Sequence, residues 1–216
     1  MTKLTLIIGN KNYSSWSLRP WLTMKQAGVE FAEVRIPLDT PNTQEEIRRY
    51  SPSGKVPVLI DGDLKVWESL AICEYVAERF APHLWPADIT ARAVARSVCA
   101  QMHAGFQNLR ENMPMDCRGR YQGLGMNTAV QADINCIIAI WEECRQKFGA
   151  GGDLLFGNFT IADAMFAPVV SRFITYGVQL NSVAKAYLDV VWALPAMQEW
   201  VAAACNESES IVLLKP

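Results

Sequence analysis

Strand signals are confined to the first eighty or so residues of this chain, and beyond them every periodic segment reads as helical. A chain patterned in this way has to bury one small sheet and one helical bundle, an α/β region followed by an all-α region. In the first region, Leu4-Thr5-Leu6-Ile7-Ile8 is a buried strand and Asn10 to Ser17 a polar loop. Ser17 to Ala27 follows as a helix, with Pro20 expected in its first turn and Gly28 as its stop. Phe31 to Ile36 alternates as a second strand. Asn42 to Tyr50 is a short charged helix ended by Ser51-Pro52-Ser53-Gly54. Val56 to Ile60 and Leu64 to Trp67 flank Asp61-Gly62-Asp63, a hairpin signal, and Glu68 to Phe80 closes the region as an amphipathic helix.

The order is βαβαββα, a parallel pair followed by an antiparallel hairpin, which is how thioredoxin-like domains are built. The expected division is therefore 1–80 as a thioredoxin-like domain, 81–89 as a linker marked by Pro82 and Pro86, and 90–216 as an all-helical domain. The helices of that second domain are expected at Thr90 to Met113, Asn127 to Phe148, Thr160 to Phe173, Ser182 to Val191 and Pro195 to Cys205.

Charge and cysteine usage exclude several functions. Net charge is −2 with no basic block, which argues against nucleic acid or an anionic membrane as partner. The apolar run near the amino terminus is too short for a secretory signal, and no stretch reaches transmembrane length. Six cysteines are scattered, with no CxxC pair and no histidine alongside, so they are expected to be buried small hydrophobes, with no metal. A cytoplasmic, reducing location is expected.

Four local features bear on chemistry. The first is Tyr13-Ser14-Ser15-Trp16-Ser17, a hydroxyl cluster between the first strand and the first helix. Unpaired N–H groups and the positive dipole end make a helix amino terminus favour an anion. A free thiol, with a pKa of about 8.5, is mostly protonated at neutral pH. Lowering that value by about 2 units takes about 2.7 kcal/mol, within reach of a hydroxyl donating to sulfur at such a helix end. The second is Lys55-Val56-Pro57, where a proline opens a strand. A cis bond there would turn the Val56 backbone outward to pair with an extended peptide, and Lys55 could meet a carboxylate. The third is Glu68-Ser69, where Glu68 could hold an ammonium and the helix N–H groups a carboxylate. The fourth is Thr160-Ile161-Ala162-Asp163, a capping-box pattern and so a folding signal. Taken singly, each of the first three reads more readily as helix caps or an ordinary turn.

Taken in order, Ser-Ser-x-Ser, Ser51-Pro52-x-Gly-Lys-Val-Pro-Val-Leu, Glu68-Ser69-x-Ala-Ile and Phe159-Thr-Ile-Ala-Asp163 resemble the cytosolic glutathione transferases along essentially the whole chain. The resemblance is nearest to the serine-type zeta class, whose Ser-Ser-Cys-Ser motif aligns with Ser14-Ser15-Trp16-Ser17. It implies the glutathione transferase fold, a homodimer and glutathione as co-substrate. By that resemblance Ser14 activates the thiol, with Ser15 and Trp16 beside it. Lys55 would serve the glycine carboxylate, Val56 with Pro57 the cysteinyl backbone, and Glu68 with Ser69 the γ-glutamyl end.

A small hydrophobic electrophile is expected between the first domain and the helix Thr90 to Met113. Trp16, His103, Phe106, Arg110 and Met113 are candidates to line that cleft, and His103, Phe106 and Arg110 are expected on one helix face. Trp16 replaces the cysteine of the zeta motif, so conjugation in detoxification, or peroxide reduction, is expected over maleylacetoacetate isomerisation. A glutathione-dependent isomerase or dehalogenase, and a non-catalytic binder of apolar ligands or proteins, are the alternatives.

Overall fold

The computed structural model describes residues 4–211, so the outermost residues of the expected domains 1–80 and 90–216 lie outside it. Four strands, β1 (Thr5–Ile8), β2 (Ala32–Arg35), β3 (Val58–Asp61) and β4 (Leu64–Trp67), form one sheet in the order β2-β1-β3-β4. β1 runs parallel to β2 and antiparallel to β3, and β3 pairs antiparallel with β4. Around the sheet lie α1 (Ser15–Gln26), α2 (Thr43–Tyr50) and α3 (Ser69–Arg79).

After Thr5, β1 is apolar and buried because it is central and covered on both faces. Leu6 and Ile8 enter the main core under α1 and α3, while Ile7 joins Ile36, Ile47 and Val58 in a small cluster under α2. The hairpin closes with Asp61 opposite Leu64, and Gly62 takes φ +61°, the left-handed backbone that two-residue hairpin loops need.

α1 begins two residues earlier than its apolar pattern suggests, so Pro20 lies inside it rather than in its first turn. Proline has no N–H for the carbonyl four residues back, so the Trp16 carbonyl gains no helical partner there.

A 3-10 turn at Pro82–Leu84 leads to α4 (Ile89–Ala104), α5 (Gln107–Asn112), α6 (Thr128–Phe148), α7 (Ile161–Tyr176), α8 (Ser182–Ala193) and α9 (Pro195–Cys205). The helix expected over 90–113 is therefore two helices. Gly105 ends α4, and Phe106, at φ +60°, reverses the chain into α5. α7 is the axis of the second domain. All its residues but Ile174 are buried, and it packs against α1, α4 and α8. The apolar core runs without a break from the sheet through α1 into α7.

Asp163 accepts from Thr160 N, Thr160 Oγ1, Leu155 N and Tyr187 Oη at the start of α7. Burial still pushes its carboxyl up to about 6.

Four cysteines are buried as expected, but Cys136 and Cys205 are exposed, on the outer face of α6 and at the end of α9. Among the described residues no helix is long and apolar enough to cross a membrane.

Candidate functional site

The amino termini of α1 and α3 meet beside a cavity of about 290 Å³ lined by Trp16, Ser53, Lys55, Val56, Pro57, Glu68, Ser69 and His103. Two helix N-termini at one cleft make it receptive to negative charge. A larger cavity, about 1260 Å³, lies at the other end of the sheet, by Lys25, Ala27, Arg79 and Phe80, where α1 and α3 end. Helix carboxyl ends repel anions, and that cavity holds no residue of the Tyr13–Ser17 segment, whereas Trp16 lines the smaller one, which is therefore the candidate site.

Ser14 occupies the N-cap position of α1 without capping it through its side chain. It is buried, and its hydroxyl donates to Ser17 Oγ at 2.7 Å; Ser17 Oγ also accepts from Gly9 N at 3.1 Å. Ser17 is wholly buried and holds the Ser14 hydroxyl in place, a role hidden in the sequence because it needs the return of β1 beside the helix. Ser15 is equally buried, one residue into the helix. Neither serine lines the cavity itself; Trp16, the next residue, does.

The opposite wall is built from the β3 entrance and the α3 start. Ser51 Oγ donates to Lys55 O at 2.6 Å and accepts from Lys55 N at 3.2 Å, which fixes the turn presenting Lys55. The Val56–Pro57 bond is cis. Glu68 has φ +71°, a region a side-chain-bearing residue occupies only when its surroundings impose it. Ser69 is buried, and its Oγ has no hydrogen-bond partner among the described residues. A buried hydroxyl without a partner at a helix N-terminus is a place prepared for a polar ligand atom.

Trp16 joins the two domains. Arg19 lies over its ring with the guanidinium carbon 4.3 Å from the centroid, Arg110 lies at 4.8 Å, and the His103 ring meets it edge-on at 5.2 Å. Arg19 is fully buried. Its Nε donates to Met165 O at 3.2 Å, while both terminal nitrogens find no hydrogen-bond partner among the described residues. Burial, with Arg110 and Arg172 nearby, lowers its pKa well below the ordinary value. The signal for Arg19 was present as a charge inside the apolar run Leu18 to Leu22.

His103, Phe106 and Arg110 do not share a helix face, because the break at Gly105 separates them. His103 turns its Nε2 to Glu68 Oε2 at 3.6 Å. Burial and the positive charges of Arg19 and Arg110 lower its pKa, against the opposing pull of Glu68. Arg110 turns back on α4, with Nε donating to Gly105 O at 2.9 Å and a terminal nitrogen donating to Met102 O. It finds its partners in the unpaired carbonyls of a helix end. Phe106 and Met113 are core residues, and neither they nor Arg110 line the cavity.

Residues 13–79 match the family model described as "Glutathione S-transferase, N-terminal domain", and 127–203 match its C-terminal counterpart. A dichloromethane dehalogenase from Methylophilus leisingeri is 44% identical over 59 residues, 26% of this chain and 22% of the dehalogenase. The chain thus spans only about a fifth of that relative's length. Maleylacetoacetate isomerase from Rattus norvegicus is 29% identical over 173 residues, covering 77% of this chain and 76% of the isomerase. Among solved structures, a glutathione transferase homolog from Burkholderia GL BGR1 with bound glutathione superposes with a TM-score of 0.72. It is 25% identical and covers 95% of this chain and all of its own.

Proposed function

This chain belongs to the glutathione S-transferase family, and from that premise we propose that it binds glutathione between α1 and α3 and activates its thiol through Ser14 for attack on hydrophobic electrophiles. The observation that carries this reading is the Ser69 Oγ, buried and unpartnered where α3 begins, across a 290 Å³ cavity from the end of α1. The residues present fit the tripeptide. Lys55 offers a cation, Val56 a backbone strand edge, and Ser69 with the α3 N–H groups a carboxylate cradle, beside the carboxylate of Glu68 for an ammonium.

In the mechanism, the chain's own work falls on the α1 end. Ser17 keeps the Ser14 hydroxyl oriented, and a turn of that hydroxyl from Ser17 Oγ toward sulfur supplies a charge-assisted hydrogen bond to the thiolate. The thiol proton leaves to solvent. The thiolate then forms the C–S bond to the electrophilic carbon, and the leaving group departs with its electron pair. Trp16 fills the neighbouring wall, where an indole supplies bulk and a flat apolar surface but no thiol.

The isomerase relative supports a second reading, glutathione-dependent cis-trans isomerisation. Trp16, standing where the zeta motif has cysteine, favours conjugation over it. A panel of aryl halides, peroxides and maleylacetone, assayed with and without glutathione, tests both. Glutathione-dependent conjugation is expected. Turnover of maleylacetone alone would reverse the order, and glutathione binding without any turnover would leave a non-catalytic binder. A homodimer and a cytoplasmic location accord with this proposal.

A further inference from the structure

The backbone of the segment that delivers Ser14 is held in large part by the helical domain and the tail that follows it. Between β1 and α1, four backbone groups of Lys11 and Asn12 point away from their own domain. Lys11 N and Asn12 N donate to the two oxygens of the Glu207 carboxylate, at 2.6 and 3.1 Å. Lys11 O accepts from Trp200 Nε1 at 2.8 Å, and Asn12 O accepts from Cys117 N at 3.3 Å. The Asn12 side chain is bound as well, donating to Asp116 at 2.8 Å and accepting from Arg118 N at 3.0 Å. Every one of these partners lies in the helical domain or in the tail after α9.

The tail is itself fastened. Arg118 donates to Glu207 O at 2.6 Å, to Glu209 O at 2.7 Å and to the Tyr13 hydroxyl at 2.9 Å. Arg35, at the end of β2, pairs with Glu209 at 2.8 Å, and Ile211 N donates to Tyr13 Oη. The Glu207 side chain is only 6% exposed, so its two hydrogen bonds to the backbone are little screened by water.

We propose that Glu207 is a positioning residue: its carboxylate grips the backbone of Lys11 and Asn12 and so sets the place from which Ser14 addresses the glutathione thiol. The inference rests on the functional reading above. The chain of geometry is short. Asn10 O accepts from both Tyr13 N and Ser14 N, so the turn that ends in Ser14 is continuous with the two gripped residues. Hydrogen-bond stabilisation of an anion depends on donor placement to within a few tenths of an ångström, and a released loop loses that placement first.

The sign of the effect separates positioning from charge. A distant negative carboxylate disfavours a thiolate, so its removal acting through field alone would lower the pKa of the bound thiol. Loss of position raises it. The experiment is titration of bound glutathione by its ultraviolet thiolate absorbance in the full-length protein, with Glu207→Ala and the near-isosteric Glu207→Gln. A rise of about 1 unit in Glu207→Ala and a smaller rise in Glu207→Gln are expected. A roughly tenfold loss in kcat should accompany them, with little change in KM for glutathione.

Asn181→Ala serves as the control for stability, since it removes the N-cap of α8 far from the site and should leave the titration where it is. A titration unmoved or lowered in the Glu207 variants would overturn the proposal and leave the tail a fastening only. Should Glu207→Ala not fold, Glu207→Gln decides alone by the same readings. Failure of the unmodified protein to bind glutathione overturns the functional reading instead, and is seen before any variant is made.

Discussion

The two helix ends that face the cavity are built in opposite ways. At α1 the polar groups are committed within the protein: Ser14 to Ser17, Ser17 to Gly9, and Lys11 and Asn12 to the second domain and the tail. At α3 they are held in readiness: Ser69 Oγ has no hydrogen-bond partner among the described residues, and Glu68 keeps an unfavourable φ. An end whose Ser14 hydroxyl and loop backbone are tied in this way is held in place and suits precise chemistry on a sulfur atom, although Asn10 Nδ2 and the Arg19 terminal nitrogens there find no hydrogen-bond partner among the described residues. An end that leaves a buried hydroxyl unpaired costs the free protein stability and regains it when a ligand arrives. The difference divides the labour of the site between activation at α1 and binding at α3.

The largest effect that could break this division is at Ser14. Ser14→Ala should raise the pKa of bound glutathione by about 2 units and cut turnover at neutral pH about 100-fold. Glutathione affinity, measured by calorimetry, should stay within a few-fold. An equal loss of affinity would mean that α1 binds as much as it activates.

Next in size is Trp16→Cys, which removes the ring lying against Arg19 and Arg110. Each cation–π contact of this partly desolvated kind is worth about 0.5–2 kcal/mol, so thermal unfolding should report a loss of about 1–4 kcal/mol. The ratio of maleylacetone isomerisation to aryl conjugation should rise in the same variant. Efficient isomerisation by the unmodified protein would show that Ser14 and the thiolate suffice without a cysteine.

A sharper comparison sets Ser17→Ala against Ser69→Ala in the free protein. Ser17→Ala strips an acceptor from Gly9 N and from Ser14, and should cost about 1–2 kcal/mol in chemical denaturation. Ser69→Ala removes a group that has no partner, so it should leave the free protein as stable or slightly more so, yet weaken glutathione about tenfold. Equal destabilisation by both would erase the distinction between the two ends.

The fold was legible because its rules are local or nearly so. The apolar run of β1, the Asp-Gly hairpin signal and the Thr160–Asp163 capping box each appear where the pattern put them. What the sequence could not give was convergence. The Gly105–Phe106 break left no strong mark, since one glycine in a helical pattern is tolerated, and the structural reason for it is the return of Arg110 onto the α4 carbonyls. Ser69 was visible as a helix start, but its lack of a partner is a property of its whole surroundings. Glu207 was wholly hidden. Nothing in residues 205–211 marks a carboxylate destined for a loop almost two hundred positions earlier.

The smallest effect concerns His103, whose side chain touches both ends, edge-on to Trp16 and 3.6 Å from Glu68. Burial and two guanidinium neighbours outweigh Glu68 and hold its pKa below the ordinary value of about 6.5. The unfolded chain therefore takes up this proton first as pH falls. The stability that His103 contributes is complete above pH about 6.5 and is lost as pH falls through the lower, folded value. Because the ring is only partly buried, the loss should be small. The chain has two histidines, so one His83→Asn variant assigns the ring-proton resonances and a direct titration by NMR follows His103 alone. Glutathione should lower the His103 pKa further if its ammonium engages Glu68, because that carboxylate is the one group favouring the imidazolium. A midpoint that rises on binding would place a ligand carboxylate against His103, and would turn the assignment of the α3 end around.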